Sequence, residues 1–298
     1  MNDIASSILD RLKNKSKETG KSYQLCLQLY CQEEFLRRLQ KSKYSDNLIL
    51  KGGLFIYVIT GFESRATIDI DFLVRQLPNK PEELKNIVQE IIDNNDENDV
   101  VVFEITKANP ITVTKKYAGV NVSMIARIKN TRTPINIDFG VGDVVFPKFE
   151  KRSIPTQLAG DISPLINTYS VETTISEKLD AILYLMDFTS RMKDYYDIFY
   201  LLNRFDFDGN VLKKAIESTF NNRKHLFSMQ QYEQMIEFSR NDDMNKKWRA
   251  FLKKMKIEEI EFTYVLNKID IFIRDVFVAM LKNEEFNLRW NSSNNKWN

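Results

Sequence analysis

The run Thr67-Ile68-Asp69-Ile70-Asp71-Phe72-Leu73-Val74 constrains this chain more than any other stretch. Its β-branched and aromatic residues favour an extended strand, and successive strand side chains point to opposite faces. Asp69 and Asp71 therefore share one face while Ile70 turns into the core. With apolar neighbours on either side, such carboxylates are costly to keep ionised unless they are paired or bound to a metal. Taken alone, an Asp-x-Asp is more often a solvated strand edge, so its weight depends on what accompanies it.

Two features accompany it in a fixed order. Upstream, Gly52-Gly53 is followed by the apolar run Leu54 to Ile59. Glycines let backbone N–H groups approach an anion closely, the more so where they open a helix whose positive end faces that anion. Downstream, Pro134-Ile135-Asn136-Ile137-Asp138 reads as a strand that closes on a third carboxylate. A nucleoside triphosphate arrives as a magnesium chelate, and Mg²⁺ takes hard oxygen ligands from one or two carboxylates plus the phosphates. The order of these pieces matches a metal-dependent nucleotidyltransferase site, with Asp69, Asp71 and Asp138 as metal ligands and Gly52 and Gly53 at the nucleotide.

Composition narrows the alternatives. A chain of 298 residues allows one large domain or two ordinary ones, and 43% apolar residues with 12% aromatics suffice for a core. The amino terminus is polar and lysine-rich, and no apolar run approaches the ~20 residues that span a bilayer, so a cytoplasmic protein is expected. Cys26 and Cys31 fall in an apolar helical pattern and read as core thiols. His225 is the single histidine, which all but removes histidine triads, H-E-x-x-H zinc sites and His/Cys deaminase sites. Proton transfer is left to a carboxylate, a lysine or water. The net charge of +2 is unevenly spread, for Asn210 to Lys256 holds 11 Lys/Arg against 5 Asp/Glu. Phe220, Phe227, Tyr232, Phe238, Trp248 and Phe251 are interleaved there. Such a stretch fits either a track for a phosphate backbone with stacking faces or, more commonly, amphipathic helices with lysines outward.

Periodicity lays out the rest. Residues from Asn2 to about Lys43 read as helices, a further helix follows Gly53, and another begins after Pro81 and runs towards Asp93. Val100 to Ile105, Thr112 to Tyr117, Val120 to Ile128 and Ile135 to Phe139 are strand candidates, with Ala118-Gly119 as a hairpin turn. The fold class expected is α+β, a small mixed sheet with flanking helices over residues 1–155 followed by a mostly helical domain over 156–298. Pro147, Pro155, Gly160 and Pro164 punctuate the connection between them, and Asn291 to Asn298 reads as a polar, frayed tail.

A second cluster lies in the helical part. Thr174-Ile175-Ser176-Glu177 matches a capping box with Thr174 as N-cap, which puts Lys178 in the first helical turn. A lysine is unfavourable there by roughly a few tenths of a kcal/mol unless an anion offsets it. Two readings stand level: a triphosphate held at the helix end by Lys178, or a surface lysine bridging to Glu177 or Asp180. Farther on, Asp194 and Asp197 share one helix face, with Arg191 beside Asp194. Tyr195, Tyr196, Ile198, Phe199, Tyr200, Leu201 and Leu202 make that helix apolar nearly all round, so burial is expected and its acids need partners.

Taken in order, Leu50-Lys51-Gly52-Gly53, Thr67 to Phe72, Ile137-Asp138-Phe139, Ser176-Glu177-Lys178-Leu179 and Lys193-Asp194-Tyr195-Tyr196-Asp197 resemble the AbiEii-type nucleotidyltransferase toxins of the abortive-infection AbiE toxin–antitoxin family. The resemblance covers about the first two thirds of the chain. It implies a polymerase-β-like nucleotidyltransferase core, binding of nucleoside triphosphate with GTP favoured, an RNA acceptor such as the tRNA 3′ end, and a separately encoded antitoxin. Many relatives carry Gly-Gly-Thr or Gly-Gly-Ser where Gly53 is here followed by Leu54, so Thr67 is the expected source of a hydroxyl. The mechanism expected has Asp69 and Asp71 holding Mg²⁺ on the triphosphate, Gly53 and Thr67 placing its phosphates and Lys178 neutralising the pyrophosphate. Asp138, Asp194 or Asp197 would then hold a second metal or take the acceptor proton. A non-catalytic nucleotide- or RNA-binding protein of the same fold is the alternative, and a metal-dependent nuclease ranks third because it has no use for the glycine pair.

Overall fold

Capping chemistry sets the first two helices. Asp3 accepts a hydrogen bond from the Ser6 N–H at 3.3 Å and opens α1 (Ile4–Thr19), which stops at Gly20 in a left-handed conformation with φ 67°. Ser22 does the same for α2 (Tyr23–Lys41), accepting from the Leu25 N–H at 3.2 Å. The computed structural model describes residues 3–94, 100–111, 119–188 and 191–298. The chain divides into two compact units, Met1–Gly142 with Glu150–Thr168 and Asp143–Phe149 with Tyr169–Asn298.

The first unit continues through β1 (Leu48–Lys51), α3 (Gly52–Ile59), β2 (Asp69–Val74), α4 (Pro81–Ile92), β3 (Val102–Ile111), β4 (Gly119–Ile128) and β5 (Thr131–Gly140). Two short strands, β6 (Glu150–Ser153) and β7 (Leu165–Thr168), complete it. Among the described residues they form one seven-stranded mixed sheet in the order β3-β4-β5-β2-β1-β7-β6. The β2/β5 and β1/β7 pairs are parallel and the others antiparallel. Side-chain alternation splits the sheet into two faces. Ile70, Phe72, Val120, Val122, Met124, Ile135, Ile137 and Phe139 are buried on one of them. Phe35 of α2 packs there against Phe72, which stacks on Phe139 with ring centroids 6.0 Å apart. Each fully buried side chain of this kind contributes about 1.5–3 kcal/mol, so this face holds the unit together and the opposite one is left for polar groups.

The strand expected over Asp69 to Val74 is β2 itself, while Val100 to Ile105, Val120 to Ile128 and Ile135 to Phe139 mark parts of the longer β3, β4 and β5. Thr112 to Tyr117, and Ala118 of the expected turn, lie outside the described residues. The connection punctuated by Pro147 to Pro164 is not a bare linker. β6 pairs with β7, and β7 joins the edge of β1 through Leu50 and Thr168, so the sheet draws residues 150–168 into the first unit. The boundary expected at 155/156 therefore falls between two paired strands.

The second unit comprises α5 (Val171–Leu185), α6 (Met192–Leu202), β8 (Phe207–Asp208), α7 (Gly209–Arg223), α8 (Met229–Ile236), α9 (Asp242–Met255), α10 (Phe262–Leu281), β9 (Arg289–Asn291) and β10 (Lys296–Trp297). α10 packs against α6, α7 and α8 and buries Leu266, Ile269, Phe272, Ile273, Val276 and Phe277. The residues expected as a frayed tail, Asn291 to Asn298, instead fold back through the β9/β10 pair and pack through Trp297. Trp290 is buried and its indole N–H donates to the Leu202 carbonyl at 2.7 Å, while Trp297 stacks on Phe272 at 5.6 Å. Phe220, Phe227, Tyr232, Phe238 and Trp248 are buried as well. They are core residues rather than stacking faces, and the basic stretch between Asn210 and Lys256 is a set of amphipathic helices. Among the described residues no helix is long and apolar enough to cross a membrane.

Candidate functional site

Strand register assembles the polar face of the sheet. Lys51 on β1 lies opposite Asp71 on β2, Asp71 opposite Asp138 on β5, and Asp138 opposite Asn121 on β4. In the neighbouring row Asp69 lies opposite Asn136, and Asn136 opposite Ser123. Residues directly opposite one another project to the same face, so Asp138, far along the chain, shares one surface with Asp69 and Asp71. Asp69, Asp71 and Asp138 are half-buried rather than buried. Their apolar neighbours point away from them, so desolvation weighs on the acids less than the sequence suggested.

The glycine pair is explained by what approaches it. Gly52 has φ 68°, a conformation that strains any other residue, and a Cβ built on it would lie 2.1 Å from Asp71 Oδ2. A Cβ on Gly53 would lie 2.9 Å from Thr67 Oγ1. The pair thus admits the side chains of Asp71 and Thr67 against the start of α3. Lys51 is the N-cap of that helix and supplies no side-chain hydrogen bond to it. Leu54, at the position where relatives carry a hydroxyl, is buried in the core. Gln28 and Gln32 of α2 both donate to the Ile68 carbonyl, at 3.0 and 2.8 Å, and so fix the backbone between Thr67 and Asp69.

Lys178 is not where the capping box put it. The N-cap of α5 is Ser170, which accepts from the Thr173 N–H at 3.1 Å and donates to the Phe146 carbonyl at 2.6 Å. The helix begins four residues earlier than Ile175, so Lys178 sits in its interior and the helix-dipole argument no longer applies. Nor is Lys178 on the surface bridging to Glu177 or Asp180. Its ammonium is buried and donates to Asp194 Oδ1 at 3.1 Å and to Asp197 Oδ2 at 2.5 Å. Arg191 Nε adds a bond to Asp194 Oδ2 at 2.6 Å. Burial on its own would raise the Asp194 carboxyl, but Lys178 and Arg191 outweigh it and hold the group below its ordinary range. Asp180 is taken by Arg223 at 2.8 Å and by His225 Nδ1 at 2.8 Å, and the His225 ring stacks on Tyr184.

The sequence model of the family described as Nucleotidyl transferase AbiEii toxin, Type IV TA system, matches residues 34–271. This chain belongs to that family. Among solved structures, the toxin resembles MenT4, a nucleotidyltransferase toxin from Mycobacterium tuberculosis, at 14% identity and a TM-score of 0.55 over 92% of this chain and 99% of that one. It also resembles JHP933 from Helicobacter pylori at 13% identity and a TM-score of 0.51, over 88% and 95% of the two chains. At such identities the likeness speaks to the fold, which is that of a nucleotidyltransferase toxin. No curated protein matches the toxin in sequence. Membership of a toxin–antitoxin family brings with it a nucleotide substrate and a cognate antitoxin.

The residues singled out from sequence thus form two groups, each described within its own unit. Gly52, Gly53, Thr67, Asp69, Asp71 and Asp138 gather on the polar face of the sheet. Lys178, Asp194 and Asp197 form an ion cluster between α5 and α6. Among the described residues, no group of three or more His, Cys, Asp and Glu side chains is close enough to hold a metal ion by itself. Sequence reasoning passed over Asn121, Ser123 and Asn136. Their signal was present as polar residues at every second position of otherwise apolar strands, Val120-Asn121-Val122-Ser123 and Ile135-Asn136-Ile137-Asp138.

Proposed function

We propose that the toxin transfers a nucleotide from a nucleoside triphosphate, GTP by the family resemblance, to an RNA acceptor, with the tRNA 3′ end as the first candidate. The observation that carries this reading is the register of Asp71 with Asp138 beside a glycine that Asp71 itself keeps bare. Mg²⁺ suits this edge because it is held by one or two carboxylates together with substrate phosphates rather than by a full protein cage. Asp69 and Asp71 would hold it, with Asp138 completing the edge. When bound, the ion supplies charge neutralisation on the triphosphate. The backbone N–H groups at the start of α3 and the Thr67 hydroxyl are assigned to the phosphates. The acceptor hydroxyl oxygen forms the new bond to the α-phosphorus, the bond to pyrophosphate breaks, and the hydroxyl proton passes to a carboxylate of this face or to water. Lys178, Asp194 and Asp197 are assigned first to the folding of the helical unit, on the strength of their mutual bonds.

The test is incubation of the full chain with total RNA and each labelled triphosphate in turn, with and without Mg²⁺. Label should enter RNA only with the ion, and Asp71→Asn should abolish it while the circular dichroism spectrum stays that of wild type. Nucleotide binding without incorporation would favour a non-catalytic binding protein, and shortening of the RNA would favour a nuclease.

A further inference from the structure

β4 alternates buried Val120, Val122 and Met124 with half-buried Asn121 and Ser123, two polar side chains that the chemistry above leaves unused. Asn121 Nδ2 donates to Asp138 Oδ1 at 2.6 Å. Ser123 Oγ lies 3.0 Å from Asn121 Oδ1 and 3.0 Å from Asn136 Oδ1. A serine hydroxyl carries one proton, so it can serve only one of those amide oxygens. Asn121 must offer its oxygen to Ser123, because its nitrogen is committed to Asp138. The remaining contact is satisfied when Asn136 turns its amide so that the nitrogen donates to Ser123 Oγ, a rotation that leaves the shape of the side chain unchanged.

The donors then run in one direction, from Asn136 to Ser123, from Ser123 to Asn121 and from Asn121 to Asp138. Reversing the Asn121 amide would set its oxygen against the Asp138 carboxylate, so the acid fixes which end of Asn121 faces it, and the bond from Ser123 to the amide oxygen holds the side chain in that place. A donor to a carboxylate makes a shorter and stronger bond than a neutral pair does, as the 2.6 Å separation reflects. That bond occupies one carboxylate oxygen, and among the described residues the other has no hydrogen-bond partner. Beyond Asp138 the row continues to Asp71 on β2 and to Lys51 on β1.

We propose that Asn121, oriented by Ser123, is a positioning residue that holds the Asp138 carboxylate for the divalent cation of nucleotidyl transfer. The inference rests on the reading of Asp138 given above. It adds a side chain from a third strand, β4, to the group that decides metal affinity.

The experiment uses Mn²⁺ as the probe, with its affinity for the full chain read by electron paramagnetic resonance, alongside kcat and KM for the triphosphate. Asn121→Leu keeps the approximate shape and removes the donor, and should weaken Mn²⁺ binding and transfer about tenfold, the usual effect of removing a partner that orients a metal ligand. Most of the loss in transfer should lie in kcat. Ser123→Ala should lose less in the same direction, and Ser123→Thr, which keeps the hydroxyl, should restore wild-type values. If Asn121→Leu fails to fold, the Ser123 pair decides alone. Asp138→Asn separates the two levels of the argument. Wild-type Mn²⁺ affinity and transfer in Asp138→Asn would remove Asp138 from the site and the proposal with it. Loss in Asp138→Asn with wild-type behaviour in Asn121→Leu and Ser123→Ala would overturn the proposal alone. A lowered melting temperature with unchanged Mn²⁺ affinity would overturn it too, because the network would then only support the sheet.

Discussion

Replacing Lys178 with methionine sets the buried ion cluster against the sequence-based expectation that this lysine could be lost without cost. Methionine keeps the apolar stem and removes the charge. The ammonium lies 3.1 Å from Asp194 Oδ1 and 2.5 Å from Asp197 Oδ2, and both acids are 1% exposed. An exposed pair would contribute about 0–1 kcal/mol, whereas stripping one partner from a buried pair costs about 3–5 kcal/mol. Arg191 keeps its 2.6 Å bond to Asp194, so the lower end of the buried range, about 3 kcal/mol, is expected. The chain's three tryptophans, Trp248, Trp290 and Trp297, all lie in the second unit, so their fluorescence reports its unfolding. The urea midpoint should fall by about 1 M or more. Acidity supplies a second readout. A carboxylate held below its ordinary range, as Asp194 is, contributes stability that is present above its unfolded value and lost as pH falls through its folded value. The gap between wild type and Lys178→Met should therefore be full at neutral pH and close below about pH 4. Adding Asp194→Asn and Asp197→Asn to Lys178→Met should recover much of the loss, since no buried charge then lacks a partner. A Lys178→Met midpoint equal to wild type at pH 7 would refute the reasoning. Lost toxicity in any Lys178 variant speaks to chemistry only where this measurement shows an intact fold.

Three further outcomes are expected. Asp71→Asn should remove nucleotidyl transfer and relieve toxicity while a melting curve still shows a cooperatively folded protein, because the side chain is half-buried and lies outside the apolar face that holds the unit together. Gly52→Ala should cost about 1–2 kcal/mol from its φ of 68° and should also lose triphosphate binding, since the new methyl would displace the Asp71 carboxylate; binding at wild-type affinity would separate the glycine from the site. Burial lifts the Glu33 carboxyl to about 7, only partly opposed by Arg37 and the Gln157 N–H. A raised carboxyl favours the protonated form in the folded state, so stability should fall by up to roughly 3 kcal/mol as pH rises from about 4.5 to about 7, and Glu33→Gln should flatten that part of the denaturation profile.

What could be read from the sequence, and what could not, follows from how far each signal reaches along the chain. The face shared by Asp69 and Asp71 was legible because strand alternation is local, and Asp138 followed because its strand shows the same period. The row that joins them was not, since Lys51, Asp71, Asp138 and Asn121 meet only through pairing among four strands, two of them parallel. The short strands β6 and β7 were hidden for a related reason, as they exist by adding to the edge of β1 and carry little pattern of their own. Trp297 sits in a polar sequence that looks frayed until Phe272 of α10 is brought against it.

The start of α5 shows how a correct local rule can choose the wrong residue. Thr174 and Ser170 are both competent N-caps, and Glu177 stands at the right distance to complete a box with Thr174. The choice is made by a segment some twenty residues earlier in the chain. Phe146 accepts from the hydroxyls of Ser170 and Thr173 and donates its N–H to Thr173, so the helix starts where that segment can cap it. Thr174 is left inside the helix, donating back to the Ser170 carbonyl at 3.0 Å, and Glu177 is turned to the Tyr169 hydroxyl instead. The four-residue shift carries Lys178 from a helix end, where it would have met an anion, to a helix interior beside two buried acids. A lysine whose charge would have been misplaced at the end thereby becomes one whose buried charge is matched by two acids.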